Sequence, residues 1–245
     1  MKKMMLVLCL CFYLFEGNGQ NIQLNDFGYK NGVYDIMVIK ADSNFYKSFR
    51  IISNRNLLTE AALFDSLGRN HSVFAINAGI VDSTCNFLGL YIDSSLQRKP
   101  INLNNGQGNF YLKPNGYLAV SKDSFLLSNT QKYDSTLAPI WAVQSGPMLI
   151  DSMKINSQIN PNSTNKNFRC GVGTFRNNSG SYLVFINSKV PVSFYNFASL
   201  FAEKYNCENA LTLESGILAT MILPKAKGSY SKTRVVCNYI FFNLN

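Results

Sequence analysis

The sequence predicts an α+β protein with a single domain, in which mixed or antiparallel sheets pack with a few helices. Strand-like runs rich in β-branched and aromatic residues outnumber helical patterns and do not alternate regularly with them. The composition, 47% apolar and 13% aromatic over 245 residues, is typical of a globular chain. No long linker or internal repeat divides the sequence, so we expect one domain over residues 20–245.

Seven segments are predicted to contain strands, because Pro, Gly and Asn bound their apolar runs. They cover residues 32–40, 72–79, 108–120, 138–150, 180–187, 209–215 and 234–242. Within the third segment, the Asn-Gly pair of KPNGY (113–117) predicts a hairpin, since this pair accepts the positive φ angles of a type I′ turn.

Two helices are predicted. The first covers 193–205, where Ser193 is a good N-cap and an aromatic stripe beginning at Phe194 has helical spacing. We interpret that stripe as part of the core. The second helix covers about 57–67 and is followed by Gly68, a residue typical of the C′ position.

The N-terminus predicts a signal peptide over residues 1–19 and therefore an exported, periplasmic or secreted protein. Two lysines precede an apolar run from Met4 to Phe15, and the small residues Gly17 and Gly19 follow at a spacing suited to cleavage. A membrane anchor is the alternative, but spanning a bilayer needs ~20 apolar residues. We therefore expect no stable membrane anchor after cleavage.

Several classes of function are disfavoured by composition. The formal charge of +9 is spread along the chain without a long basic run, so no nucleic-acid partner is expected. The single histidine, His71, has no accompanying Gly-x-Ser-x-Gly motif, which argues against a serine triad and against a multi-histidine zinc site. Nucleotide-binding glycine motifs are also missing from the sequence.

Four stretches place a polar residue beside glycine at the end of a predicted strand, where backbone amides can approach a ligand closely. They are AINAG (75–79), QSGPMLI (144–150), FRCGVG (168–173) and LESG (213–216). Because strand ends at one edge of a sheet can converge, we expect a site formed by these strand-end loops.

These stretches resemble the phosphodiester glycosidase family in order and spacing. The resemblance covers roughly residues 70–223 and includes the blocks AINAG…GLYI, GQGNFYLKPNGY, AVQSGPMLI, FRCGVG and VSFYNFASLFAEKYNCENALTLES. It implies an exported hydrolase that cleaves a sugar-1-phosphodiester of a glycan or glycolipid. The chain positions that match family motifs are Asn77, Gly79, Gln144, Ser145, Gly146, Arg169 and Gly171.

The resemblance implies that Glu214, Arg169 and Asn77 are catalytic. The leaving group would be a phosphate monoester, whose second pKa of about 6 allows departure without full protonation. One carboxylate, Glu214, could then suffice to guide water or stabilise oxocarbenium charge. Arg169 would suit the departing phosphate through bidentate hydrogen bonds. The expected substrate-binding residues are Gly79, Gln144, Ser145, Gly146, Gly171 and Ser215. This chemistry requires no cofactor, and a divalent cation beside Glu214 is an alternative.

One departure from the family pattern keeps a second interpretation open. The family usually has Leu-Asp-Gly where this chain has Leu213, Glu214 and Ser215. Glutamate is one methylene longer than aspartate, and catalytic geometry is sensitive at about 1 Å. The alternative is a catalytically impaired carbohydrate- or phosphate-binding envelope protein of the same fold; a purely structural envelope protein is a third interpretation.

Four cysteines remain after the predicted cleavage, an even number that suits two disulfides in an exported protein. We predict the pairs Cys85–Cys170 and Cys207–Cys237. The first two cysteines each lie beside a candidate site stretch, and the other two flank the strand that carries the carboxylate. Four free buried thiols are the alternative.

Overall fold

The computed structural model describes residues 21–53, 58–68, 73–223 and 231–244. The predicted signal peptide and His71 lie outside the described residues. Within them, three sheets of seven, four and five strands form, and each ladder between their strands is antiparallel. The α+β class with antiparallel sheets is therefore confirmed. None of the helices in the described ranges is both long and apolar enough to cross a membrane.

The seven-stranded sheet contains the two strands that carry the candidate arginine and carboxylate. Its strands are β1 (Ile22–Tyr29), β2 (Gly32–Lys40), β10 (Met148–Asp151), β11 (Lys154–Ile155), β12 (Arg169–Asn177), β13 (Gly180–Ser188) and β14 (Asn209–Ser215). They are ordered β1-β2-β13-β12-β14-β10-β11. The predicted strands at 32–40, 180–187 and 209–215 are confirmed almost residue for residue.

Two smaller sheets complete the strand content. The four-stranded sheet has the order β15 (Met221–Ile222), β4 (Val73–Ile76), β16 (Asn238–Asn243), β3 (Arg50–Ser53). The five-stranded sheet has the order β6 (Leu96–Lys99), β5 (Tyr91–Asp93), β9 (Trp141–Ser145), β7 (Gly116–Val120), β8 (Phe125–Asn129).

Three α-helices lie in the described ranges: α1 (Ser43–Ser48), α2 (Glu60–Gly68) and α3 (Phe194–Tyr205). The hydroxyl of Ser193 accepts a hydrogen bond from the Asn196 backbone N–H, which confirms the predicted N-cap of α3. Helix α2 includes Gly68 as its last residue, one position beyond the predicted end. Helix α1, capped by Asp42, was not predicted, because six residues are too few to show a helical period.

The seven-stranded sheet is the middle layer of the molecule and is buried on both faces. Successive side chains of β13 alternate between two clusters: Leu183 and Phe185 belong to one, and Val184 and Ile186 to the other. The first cluster also contains residues of the two smaller sheets, and the second contains the apolar face of α3. This arrangement fixes which face of the middle sheet meets the smaller sheets.

The hairpin predicted at KPNGY is wrong. Gly116 starts β7, and neither Asn115 nor Gly116 has a positive φ. Asn115 is buried instead, where its Nδ2 donates to the Phe110 carbonyl (3.2 Å) and its Oδ1 accepts from the Thr130 hydroxyl (2.6 Å). Tertiary packing therefore sets the conformation of this pair, and the chain turns back into β8 only after Val120.

Both predicted cysteine pairs are wrong. The disulfide joins Cys85 to Cys237, whereas Cys170 and Cys207 are free and buried. Cys170 packs in the cluster shared with the smaller sheets, and Cys207 packs in the cluster on the α3 side. A bond from Cys207 to Cys237 would therefore have to cross the middle sheet. The observed bond links the loop after β4 to the residue that precedes β16.

Candidate active site

Three strand ends meet at one edge of the middle sheet. Strands β12 and β14 are antiparallel neighbours, so the start of one lies beside the end of the other. Arg169 is opposite Ser215, and Cys170 is opposite Glu214. Asn77, which directly follows β4, reaches the same place from the four-stranded sheet, where its Oδ1 lies 3.6 Å from the Cys170 Sγ. The structure therefore brings the backbones of all three residues predicted to be catalytic to one place, with Asn77 and Glu214 on the Cys170 side of the middle sheet and the Arg169 side chain directed toward the start of α3.

A β-bulge determines the direction of the Glu214 side chain. The register passes from Cys170–Glu214 directly to Gly171–Thr212, which leaves Leu213 as an extra residue on β14. Leu213 and Cys170 both belong to the cluster shared with the smaller sheets. In a regular strand Glu214 would face away from Leu213. Because of the bulge, Glu214 is instead paired with Cys170, on the side where Asn77 lies.

Glu214 is 7% exposed, and its carboxyl group has one hydrogen bond within the described structure, accepted by Oε1 from the Ser215 backbone N–H (2.8 Å). Burial raises its pKa from 4.5 to about 7, and the Ser215 N–H opposes part of that rise. A carboxyl group with this pKa changes its protonation state near neutral pH, as a residue that exchanges protons with a substrate must do.

Arg169 is buried, with 1% exposure, and its guanidinium group is contacted on several sides. Its Nε donates to the Val192 carbonyl (3.0 Å) and its Nη1 to the Ser215 hydroxyl (3.3 Å). The guanidinium carbon lies 3.4 Å from the centre of the Phe194 ring. Burial lowers the arginine pKa to about 10, so the group remains charged at neutral pH.

No carboxylate of the described residues lies within ion-pair distance of Arg169. A buried charge without a partner is costly, and buried charges are normally paired. The arginine therefore forms a fixed, planar cationic site that an anionic ligand would complete.

Asn77 has a defined orientation. Its Oδ1 accepts from the Thr220 backbone N–H (2.6 Å) and from the Cys170 thiol (3.6 Å). With Oδ1 engaged in this way, its Nδ2 donates to no partner within the described part of the chain and is available to a ligand.

The structure places Gln144 and Ser145 in supporting positions next to the site. Gln144 Oε1 accepts from the backbone N–H groups of Leu90 (3.0 Å) and Asn102 (2.8 Å), and its Nε2 donates to the Asn102 carbonyl (2.7 Å). The Ser145 hydroxyl accepts from Ile80 N–H (3.2 Å) and donates to the Leu213 carbonyl (3.1 Å). Both side chains bind backbone here, and their contact with substrate stays a prediction.

The predicted substrate-binding glycines lie where backbones approach closely. A Cβ on Gly79 would lie 3.0 Å from the Gln144 carbonyl oxygen, and one on Gly146 would lie 2.8 Å from the Phe110 carbonyl oxygen. A Cβ on Gly171 would lie 2.8 Å from the Leu211 carbonyl oxygen. These glycines therefore permit the packing that positions the site, and direct ligand contact by them stays a prediction.

Sequence reasoning missed Phe194, Ser188 and Thr220. Phe194 was assigned to the core stripe of a helix, yet its ring stacks on Arg169. The Ser188 hydroxyl accepts from the Arg169 backbone N–H (2.8 Å), and the Thr220 N–H orients Asn77. An aromatic residue directly after the predicted N-cap was the one sequence signal for Phe194; nothing local distinguishes the other two.

Metal-ligating side chains are sparse in the described ranges, which contain no group of three or more His, Cys, Asp or Glu that could hold a metal ion. A cation beside Glu214 stays a prediction.

Comparisons with known proteins agree with the resemblance. A family model described as phosphodiester glycosidase matches residues 70–242. YigE, an uncharacterized protein of Escherichia coli K12, is 35% identical over 157 residues, which is 64% of this chain and 61% of the length of YigE.

Solved structures share the fold at low sequence identity. The zebrafish N-acetylglucosamine-1-phosphodiester α-N-acetylglucosaminidase catalytic domain, auto-inhibited by its pro-peptide, has a TM-score of 0.58 at 13% identity, with 94% of this chain and 90% of that chain covered. A hypothetical protein from Synechocystis has a TM-score of 0.53 at 14% identity, with 91% and 61% covered. At these identities the likeness shows the fold alone.

Proposed function

Because this chain belongs to the phosphodiester glycosidase family, we propose that it is an exported hydrolase that cleaves the bond between a sugar C1 and the oxygen of a phosphodiester. The observation that carries the proposal is the buried guanidinium of Arg169, which has no carboxylate partner in the described structure. The next residue along β12, Cys170, is paired with the buried Glu214. The Cys85–Cys237 disulfide supports an oxidising compartment.

Arg169 would bind the phosphate and stabilise the charge that develops as the C1–O bond breaks. The phosphate oxygen keeps the bonding electron pair and leaves as a monoester, which needs little protonation near neutral pH. The Val192 and Ser215 contacts and the Phe194 ring hold the guanidinium in place before substrate arrives, so little reorganisation is needed during the reaction.

Glu214, in its ionised form, would take a proton from the water that attacks C1. The water oxygen forms the new bond to C1, and its proton passes to the carboxylate. Asn77 would donate from Nδ2 to a sugar hydroxyl or a phosphate oxygen, since its Oδ1 is already engaged. Neither step requires a cofactor.

The test is hydrolysis of a panel of sugar-1-phosphodiesters by the purified mature protein, with and without a chelator, in ¹⁸O-labelled water. Cleavage of the C1–O bond releases a phosphate monoester that contains no ¹⁸O. Incorporation of ¹⁸O into the phosphate would instead indicate attack at phosphorus and would reject a glycosidase mechanism. Turnover that is lost with chelator and restored by a divalent cation would support the cation beside Glu214.

A second candidate function is binding of a sugar phosphate without turnover. The Oε1 of Glu214 accepts a hydrogen bond from the N–H of the next residue, which leaves it one less lone pair for a water molecule. Saturable binding of a sugar-1-phosphodiester without release of free sugar would select this function over hydrolysis.

A further inference from the structure

A cleft of about 390 Å³ lies at the end of the five-stranded sheet, outside the Arg169–Glu214 site. Its walls come from the loop after β6, from the residues that precede β7 and from the turn after β8. The volume is within the ~300–1,000 Å³ range of small-molecule sites. The cleft includes Lys113 of GQGNFYLKPNGY, a block that the proposed hydrolysis does not use.

Three polar side chains of this cleft have few protein partners, whereas a fourth, the Thr130 hydroxyl, donates to Asn115 Oδ1 (2.6 Å). Lys113 is partly buried, and its Nζ has one acceptor, the Leu103 carbonyl at 3.4 Å. Its ammonium has no carboxylate within ion-pair distance among the described residues. Burial lowers the pKa of Lys113, in agreement with a partly desolvated position. Within the same ranges, the side-chain amides of Asn105 and Gln131 are exposed and make no hydrogen bond to protein, so they are free to bind a ligand.

The remaining wall is apolar and partly rigid. Ile101 and Pro114 line it, and Leu103 is 59% exposed. The ring of Tyr133 is held edge-to-face against Tyr117, with a centroid distance of 5.3 Å. An apolar wall beside amide groups suits a sugar, whose C–H face packs on apolar side chains while its hydroxyls bind amides. A cation without a partner suits an anionic substituent.

We propose that this cleft is a second binding site, which takes a sugar unit carrying a phosphate or carboxylate group, with Lys113 contacting the anion. The dipeptide Gln144-Ser145 connects the cleft to the Arg169–Glu214 site. Gln144 holds Asn102 at the base of the cleft loop, and Ser145 binds the Leu213 carbonyl immediately before Glu214. The two sites are therefore held in fixed relation. Binding at the cleft does not depend on hydrolysis, since none of its residues belongs to the Arg169–Glu214 site.

Methyl NMR of the mature protein can observe the two sites separately. The methyl signals of Ile101 and Leu103 report on the cleft, and those of Val192 report on the Arg169 site. The probes are glucose 1-phosphate, glucuronate and uncharged methyl α-glucoside. We expect saturable shifts of the Ile101 and Leu103 signals with both anionic probes, and affinity at least about tenfold weaker for the glucoside. The anionic probe that binds with the higher affinity shows whether the cleft prefers a phosphate or a carboxylate group.

Lys113→Met should weaken binding of the anionic probes at the cleft about tenfold or more, because it removes the charge and keeps an unbranched side chain. Lys113→Gln provides a second variant that retains a polar head. Lys122→Met, at the opposite end of the β7–β8 hairpin, makes the same charge change and should have no effect. Unmoved Ile101 and Leu103 signals, equal binding of the glucoside, or unchanged affinity in both Lys113 variants would overturn the proposal.

Discussion

Glu214→Gln is the most informative single change, because it removes a titrating group while keeping its shape and its acceptor for the Ser215 N–H. The folded pKa of about 7 lies above the ordinary value of 4.5, so the folded protein binds this proton more tightly than the unfolded chain does. The resulting stability is fully present below pH 4.5 and is lost as the pH rises through 7. At about 1.36 kcal/mol per pKa unit, the loss is about 3 kcal/mol.

Glutamine does not titrate, so the stability of the Glu214→Gln variant relative to that of the unmodified protein should change with pH. We expect the difference in unfolding free energy, variant minus unmodified, to increase by about 3 kcal/mol between pH 4.5 and pH 8. Urea unfolding of both proteins at each pH measures it, and other titrating groups cancel in the difference. Glu208→Gln, the same chemical change at the residue before β14, is the matched control and should show no such dependence. A pH-independent difference for Glu214→Gln would refute a buried carboxyl group.

The same substitution tests the chemistry. If the ionised carboxylate accepts the proton of water, kcat/KM of the unmodified protein should rise through a pKa near 7. Glu214→Gln should lower kcat/KM by about 10²-fold or more and remove that rising limb. Full activity in the variant would show that Glu214 is not the working group.

The remaining predictions concern the arginine, the disulfide and export. Arg169→Lys keeps the charge but loses the planar guanidinium, and should weaken binding of a sugar-1-phosphodiester by about 1.5–3 kcal/mol in calorimetry. The control, Arg176→Lys on the exposed end of the same strand, should leave that binding unchanged. Equal affinity of the two variants for the ligand would contradict a phosphate-binding role. Replacing Cys85 and Cys237 by serine should destabilise the protein by about 2–5 kcal/mol in thermal unfolding, and peptide mapping that finds either cysteine free would reject the bond. Sequencing the mature N-terminus should find a start near Gln20, whereas an intact N-terminal methionine would argue against export.

The sequence alone determined the elements whose signals are local. The alternation along β13 follows from a period of two, which is set by the backbone of a single strand. The start of α3 at Phe194 follows from the capping hydroxyl of Ser193, which acts over three residues. The blocks around Asn77, Arg169 and Glu214 were sufficient to identify the family, because order and spacing along the chain are properties of the sequence itself.

Tertiary structure alone decided how those elements meet. The bulge at Leu213 pairs Glu214 with Cys170, and it depends on the register between two strands about forty residues apart in the chain. The Cys85–Cys237 bond joins residues separated by 152 positions. Cys170 and Cys207 were paired wrongly because sequence proximity to a motif does not show which face of a sheet a side chain occupies. Long-range register and layer packing set these contacts. Neither leaves a local pattern in the sequence, because burial across the whole core determines which residues meet.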